Sequence, residues 1–85
     1  MDAKFTEAAE RVKSLKKRPS DSELLELYGL FKQATSGDVS GDKPGLFDLK
    51  GRKKFEAWGK LKGTAQATAA TTYVALVERL AQKQG

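Results

Sequence analysis

The 85-residue chain contains no cysteine and no histidine. Without cysteine there is no disulfide support, no thiol nucleophile and no thiolate metal site, and nothing implies an oxidising compartment. Without histidine the usual proton shuttle near neutral pH and the commonest metal ligand are also missing. An enzyme is therefore disfavoured, and ligand binding becomes the leading class. No apolar run approaches the roughly 20 residues that a membrane span requires. The first residues include Asp2, Glu7 and Glu10, which fits neither a secretory signal nor an acid-poor transit peptide. A soluble cytoplasmic protein is the expectation.

Sixteen Lys and Arg stand against eleven Asp and Glu, a formal charge of +5. That balance favours anionic partners but does not choose among nucleotides, nucleic acid and acidic headgroups. The length allows one modest core, and a single domain over residues 1–85 is expected.

Helical periodicity runs through most of the chain, and no segment alternates as a strand does. Phe5, Ala8, Ala9, Val12 and Leu15 form the apolar stripe of a first helix, with the basic run Lys16-Lys17-Arg18 suited to its C-terminal dipole. Pro19 interrupts, and Ser20 with Glu23 makes a capping box for a second helix. Leu24, Leu25, Leu27, Tyr28 and Phe31 are its apolar positions, and Gly37 stops it. From Gly37 to about Leu49 glycine, proline, aspartate and serine dominate, which is turn chemistry. A loop of that length either borders a ligand site or serves as a crossover. Asp48 is placed to cap a third helix carrying Phe55, Trp58 and Leu61, which Gly63 ends. Thr64 is the expected cap of a fourth, with Ala69, Ala70, Tyr73, Val74, Val77, Leu80 and Ala81 inward. The result is an all-α, four-helix bundle in which the first and last helices pack together.

The residues that bear chemistry are concentrated on these helices. Tyr28, Phe31 and Lys32 fall at i, i+3 and i+4, so their side chains project together and can meet one ligand. Lys13, Lys32 and Lys54 come from three different helices, and three elements can surround a phosphate where one can only touch it. Taken singly, each of these lysines is by default a solvated charge and each tyrosine a half-buried core residue. A nucleic-acid binder would use the same cations, but no helix-turn-helix, zinc-finger or RNA-binding signature is present. A small scaffold whose groove takes an amphipathic peptide helix is the other alternative. A hydrolase lacks both a histidine base and a Gly-x-Ser-x-Gly elbow.

Their joint occurrence is more specific. Tyr28-Gly-Leu-Phe-Lys-Gln-Ala-Thr-Ser-Gly-Asp38, Lys43-Pro44-Gly45 with Asp48, Lys50-Gly51, Lys54, Trp58, Lys62-Gly63 and Tyr73 together resemble the acyl-CoA-binding protein family over essentially the whole chain. That resemblance implies an up-down-down-up bundle with a long loop between helices 2 and 3. It implies a monomeric carrier and buffer of long-chain fatty acyl-CoA, with no catalysis and no cofactor or metal. Transient contacts with membranes or acyl-CoA-using enzymes are compatible with it, and nucleic acid is not among its partners. By the same resemblance Tyr28 and Lys32 bind the 3′-phosphate, Phe31 stacks near the adenine, Lys13 and Lys54 contact the nucleotide head, and Tyr73 closes the site. Ala9, Leu24 and Leu25 are candidates to line an acyl groove. The family usually has tyrosine at the position of Phe31 and tryptophan at that of Phe55, so stacking is kept while one hydroxyl is absent.

Overall fold

The structure, a computed structural model, describes residues 3–83; Asp2, part of the acidic N-terminal segment noted above, lies outside them. Among the described residues there are four α-helices and no strand: α1 Ala3–Arg11, α2 Asp21–Ser36, α3 Leu49–Gly59 and α4 Gln66–Gln82. A single 3₁₀ turn, Val12–Ser14, extends α1. The chain then becomes extended at Leu15, so Lys16-Lys17-Arg18 lies in the connector and not in the last helical turn where the sequence reading put it. Pro19 contributes to this, because it disfavours helical backbone at the residue before it.

The capping box that opens α2 is complete. Ser20 Oγ accepts from Glu23 N at 3.1 Å, and Glu23 Oε1 accepts from Ser20 N at 2.8 Å. The backbone bond from Ser20 is the main reason the Glu23 carboxyl lies below its ordinary value. At the other end Gly37 takes φ 80°, a region that side chains resist, and its N–H returns to Gln33 O. Asp48 caps α3 by accepting from Gly51 N at 2.9 Å.

Two boundaries differ from expectation. Helix α3 ends at Gly59, and the chain reaches Gly63 through tight turns closed by Leu61 N to Trp58 O and Lys62 N to Gly59 O. Ala65, not Thr64, is the N-cap of α4, and it provides no side-chain cap. Thr64 is held in the preceding turn, its N–H on Leu61 O and its carbonyl accepting from Gln33.

Named contacts fix the helix directions. Tyr28 lies beside Lys54 and Lys32 beside Trp58, so α2 and α3 run the same way. Trp58 Nε1 donates to Gly37 O at 2.8 Å, joining their C-terminal ends. Gln66 reaches Ala34 O while Lys83 pairs with Glu23, so α4 runs against α2. Helix α1 packs along α4 in the same sense, with Phe5 on Tyr73 and beside Ala70 and Thr71, and Ala8 and Arg11 further on beside Val77. This is the up-down-down-up order. The 16 residues of α2 span about 24 Å, and the connection 37–48 extends far enough to return the chain to the start of a parallel α3.

The core joins Phe5 and Ala8 of α1, Leu27, Leu30 and Ala34 of α2, and six residues of α4 from Ala69 to Leu80. Leu30 and Leu76, absent from the expected stripes, are both buried. Helix α2 is covered on two sides, by α3 and by α4, so its buried surface is wider than one stripe. On the α3 side Gly29 makes the fit: a Cβ there would stand 2.8 Å from the Ala57 carbonyl oxygen.

Among the described residues one polar side chain is fully buried. Gln33 is at 0% exposure, and its Nε2 donates to Asp38 Oδ1 at 2.9 Å and to Thr64 O at 2.8 Å. Both partners are acceptors, which fixes the amide orientation and leaves Oε1 buried with no partner among the described residues. Asp38 Oδ1 also accepts from Gly63 N at 2.8 Å, and these bonds, led by the one from Gly63, lower its pKa.

Gly29→Ala should destabilise the protein by roughly 1–3 kcal/mol in urea unfolding, although alanine favours helix by about 1 kcal/mol, because the new methyl meets backbone. A stabilised variant would show that α2 and α3 do not approach this closely. Asp38 has a folded pKa below its ordinary 3.8, so its contribution is present above that value and is lost as pH falls through the folded one. Asp38→Ala should therefore unfold at lower urea than the parent at neutral pH, with the gap closing on acidification below about pH 4. A gap of constant size would mean that the charge is not involved.

Candidate functional site

Helix α2 presents two chemically different faces. Tyr28 and Lys32, one turn apart, face α3: Lys54 Nζ lies 5.4 Å from the Tyr28 ring centroid and Lys32 Nζ lies 4.9 Å from that of Trp58. Lys54 and Trp58 are also spaced by four, so two cation–π rungs with the partners exchanged tie the parallel helices. Phe31 points to the other side, its ring 5.5 Å from that of Phe5 and 6.0 Å from that of Tyr73. Phe5 and Tyr73 are themselves 5.0 Å apart. Three rings from three helices thus form one aromatic cluster at the edge of the core.

A cleft of about 600 Å³ opens over this cluster, a size typical of small-molecule sites. Its aliphatic wall is Val12, Leu24, Leu25 and Leu27, and its aromatic part is Tyr28, Phe31 and Tyr73. Arg18, Lys50, Lys53 and Lys54 bring four cationic groups to it, against the single carboxylate of Asp21. Arg18 Nη1 engages that carboxylate at 3.2 Å in an exposed pair, which water screens. Lys50, Lys53 and Lys54 are exposed and keep their charges in water. The hydroxyls of Tyr28 and Tyr73 make no hydrogen bond with the described residues. Burial raises the Tyr73 pKa above 10.0, so that phenol is a neutral donor at physiological pH, suited to an anionic or carbonyl acceptor. A second depression of about 650 Å³ follows the outer face of α1, over Ala3, Thr6, Glu7, Glu10, Arg11 and Ser14. It is shallow, open to water and carries two carboxylates, a poor match for an anion.

Of the residues singled out from sequence, the cleft brings together Leu24, Leu25, Tyr28, Phe31, Lys54 and Tyr73. Ala9, Lys13 and Lys32 are not among its walls. Ala9 packs against the core cluster. Lys13 is exposed and pairs with Glu10 at 3.5 Å, next to the lining residue Val12. Lys32 is occupied over Trp58. Lys50 and Lys53 were missed as site residues, although their spacing of four and one from Lys54 places all three on one side of α3. Arg18 and Asp21 gave no comparable signal, since they flank Pro19 and Ser20 at a helix start. None of residues 37–48 lines the cleft; the loop is the crossover that a parallel α3 requires.

Over nearly its whole length the chain is similar to proteins of one family. The family model described as "Acyl CoA binding protein" matches residues 2–77. A Caenorhabditis elegans acyl-CoA-binding protein homolog is 55% identical over 85 residues, covering 100% of this chain and 99% of that protein. A Drosophila melanogaster homolog is 57% identical over 79 residues, 93% of this chain and 92% of that one. Among solved structures, an acyl-CoA-binding protein from Moniliophthora perniciosa superposes with a TM-score of 0.91 at 40% identity, covering 99% of this chain and 84% of that chain. The yeast protein in solution gives 0.78 at 49% identity, with coverage of 99% and 98%. Sequence and fold thus agree over nearly the full length, and the chain belongs to the acyl-CoA-binding protein family.

Proposed function

We propose that this protein binds long-chain fatty acyl-CoA esters reversibly, one per chain, and acts as a single-domain carrier and buffer pool in the cytoplasm without transforming its ligand. The observation that carries this reading is the cleft itself, where an aliphatic wall, three aromatic rings and four cations share one opening. Coenzyme A combines a doubly charged 3′-phosphate, a diphosphate and an adenine with, in the ester, a long apolar tail. Few ligands need all of those surfaces at once.

The assignments follow residue by residue. Lys54, supported by Lys50 and Lys53, meets the phosphates; Tyr28 and Tyr73 supply hydroxyl donors; Phe31 supplies a flat face near the adenine. Leu24 and Leu25 cover the start of the acyl chain. Lys32 reaches the 3′-phosphate after leaving Trp58, an exchange of one cation contact for a charge-assisted hydrogen bond, which is the stronger of the two. Lys13 joins the head from the 3₁₀ turn beside Val12, and Ala9 stays behind the wall as packing. The carrier works as a monomer in this reading, one chain supplying every group that the ligand needs. Binding is an equilibrium, and delivery follows dissociation.

Calorimetric titration with palmitoyl-CoA, free CoA and palmitate at physiological salt tests the two-part site. The ester should bind one to one and at least about 100-fold more tightly than either fragment. Similar affinity for ester and free CoA would place the tail outside the cleft, and weak binding of all three would leave the family fold with a different ligand. Lys32→Ala should cost about ten-fold in affinity for the ester and far less for its 3′-dephospho analogue. Equal losses for both would remove Lys32 from the phosphate, with thermal unfolding run alongside to register any loss from the Trp58 contact.

A further inference from the structure

Leu46, Phe47 and Leu49 are 74%, 99% and 68% exposed, and they are the large hydrophobic residues left in water among the described residues. Leu46 and Phe47 lie on the turn that leads into α3, and Leu49 is the first residue of that helix. Water-exposed apolar side chains scattered singly need no explanation, but three within four residues form a patch.

The turn that carries these side chains is tied at several points. Asp48 N bonds to Gly45 O at 3.0 Å, the Asp48 carboxylate is committed to Gly51 N, and Arg52 Nη1 reaches Pro44 O at 3.4 Å. Lys43 pairs with Glu56 at 3.6 Å. The apolar tip is therefore presented on a braced base. Lys50 and Lys53 follow it directly on the first turns of α3, both exposed, and Asp42 and Asp48 are the carboxylates nearby in sequence.

We propose that this tip docks the protein on anionic membrane surfaces, with Leu46 and Phe47 entering the boundary between headgroups and acyl chains and the α3 lysines meeting lipid phosphates and carboxylates. A bilayer fits because it asks for the combination present here: apolar side chains at a tip, cations behind them, and no fixed partner geometry. A specific protein groove would ask for polar groups placed to read it. The lysines behind the tip also line the cleft, so a docked molecule turns the charged side of its site towards the surface. Docking goes beyond the binding reading and needs no ligand in the cleft.

The test is co-sedimentation of the full chain with vesicles of phosphatidylcholine containing about a quarter phosphatidylserine, beside vesicles of phosphatidylcholine alone. The parent should partition measurably onto the anionic vesicles, weakly onto the neutral ones, and less as salt is raised. The double variant Leu46→Ser with Phe47→Ser should partition about ten-fold less. Its palmitoyl-CoA affinity should stay within about two-fold of the parent, since neither side chain lines the cleft. Equal partition of parent and variant, or no preference for anionic vesicles, overturns the proposal. A concentration-dependent dimer that the variant loses, with no vesicle binding by the parent, also overturns it and gives the patch to a second copy of the chain.

Discussion

Among the described residues Gln33 is the one polar side chain that folding takes wholly out of water, and its two N–H donors reach Asp38 at the start of the crossover and the Thr64 carbonyl ahead of α4. Burying an amide without partners costs on the order of 1–3 kcal/mol, so the position is tolerable only when both acceptors are in place. Three separate stretches of backbone must therefore arrive together at the C-terminal end of α2. Two further bonds converge there: Trp58 Nε1 on Gly37 O and Gln66 Nε2 on Ala34 O. The buried Oε1, with no partner among the described residues, means that this junction gains specificity more than it gains energy.

From that junction the site's geometry follows. Joining the ends of α2 and α3 makes them parallel, and Gly29 lets their backbones approach closely enough for Tyr28 to reach Lys54 and Lys32 to reach Trp58. Trp58 is buried, Tyr28 and Lys32 are half-buried and Lys54 is exposed, so each rung contributes on the order of 1 kcal/mol, too little to assemble the helices but enough to orient two lysines. The cleft lies between this seam and the aromatic cluster of Phe5, Phe31 and Tyr73. Its cations are thus positioned by helix packing, while their charges stay in solvent. A site built this way holds its shape without enclosing a buried charge, which would be costly while empty.

Much of this was legible in the residues. The four helices, the Ser20–Glu23 box, the stop at Gly37 and the Asp48 cap all rest on local chemistry, and local chemistry is what a sequence states directly. The misses are tertiary. Thr64 has the right side chain for a cap, but its carbonyl is claimed by Gln33, 31 positions away. Leu30 is buried because α2 is covered twice, which no single-stripe reading shows. At the site, the resemblance named Tyr28, Phe31 and Lys54, which line the cleft, but the expectation from spacing that Tyr28, Phe31 and Lys32 project together fails, because Phe31 turns to Phe5 and Tyr73 while the other two face α3. Lys32 was identified correctly as a neighbour of Tyr28, yet Trp58 holds its side chain on the seam rather than in the cleft. Arg18 was assigned to a helix end that the structure places four residues earlier, at Ser14.

The two ends of the cleft contribute unequally to holding an acyl-CoA. An exposed lysine–phosphate pair is worth roughly 0–1 kcal/mol after side-chain ordering and screening, so the lysines assigned to the head together add a few kcal/mol at most. A tail of fourteen or so methylenes moved out of water gains about 0.8 kcal/mol each, on the order of 10 kcal/mol before the costs of association. Retention is then set by the aliphatic wall of Val12, Leu24, Leu25 and Leu27. The cations decide which amphiphiles enter and how fast, because their field acts before contact and falls away with salt. A free fatty acid offers the wall the same tail but gives the lysines only one carboxylate, whereas free CoA offers the charge without the tail. Discrimination for the ester therefore comes from requiring both ends of one molecule at once, and it depends on Gln33 and Gly29 holding α2 at a fixed distance from the helices that supply those ends.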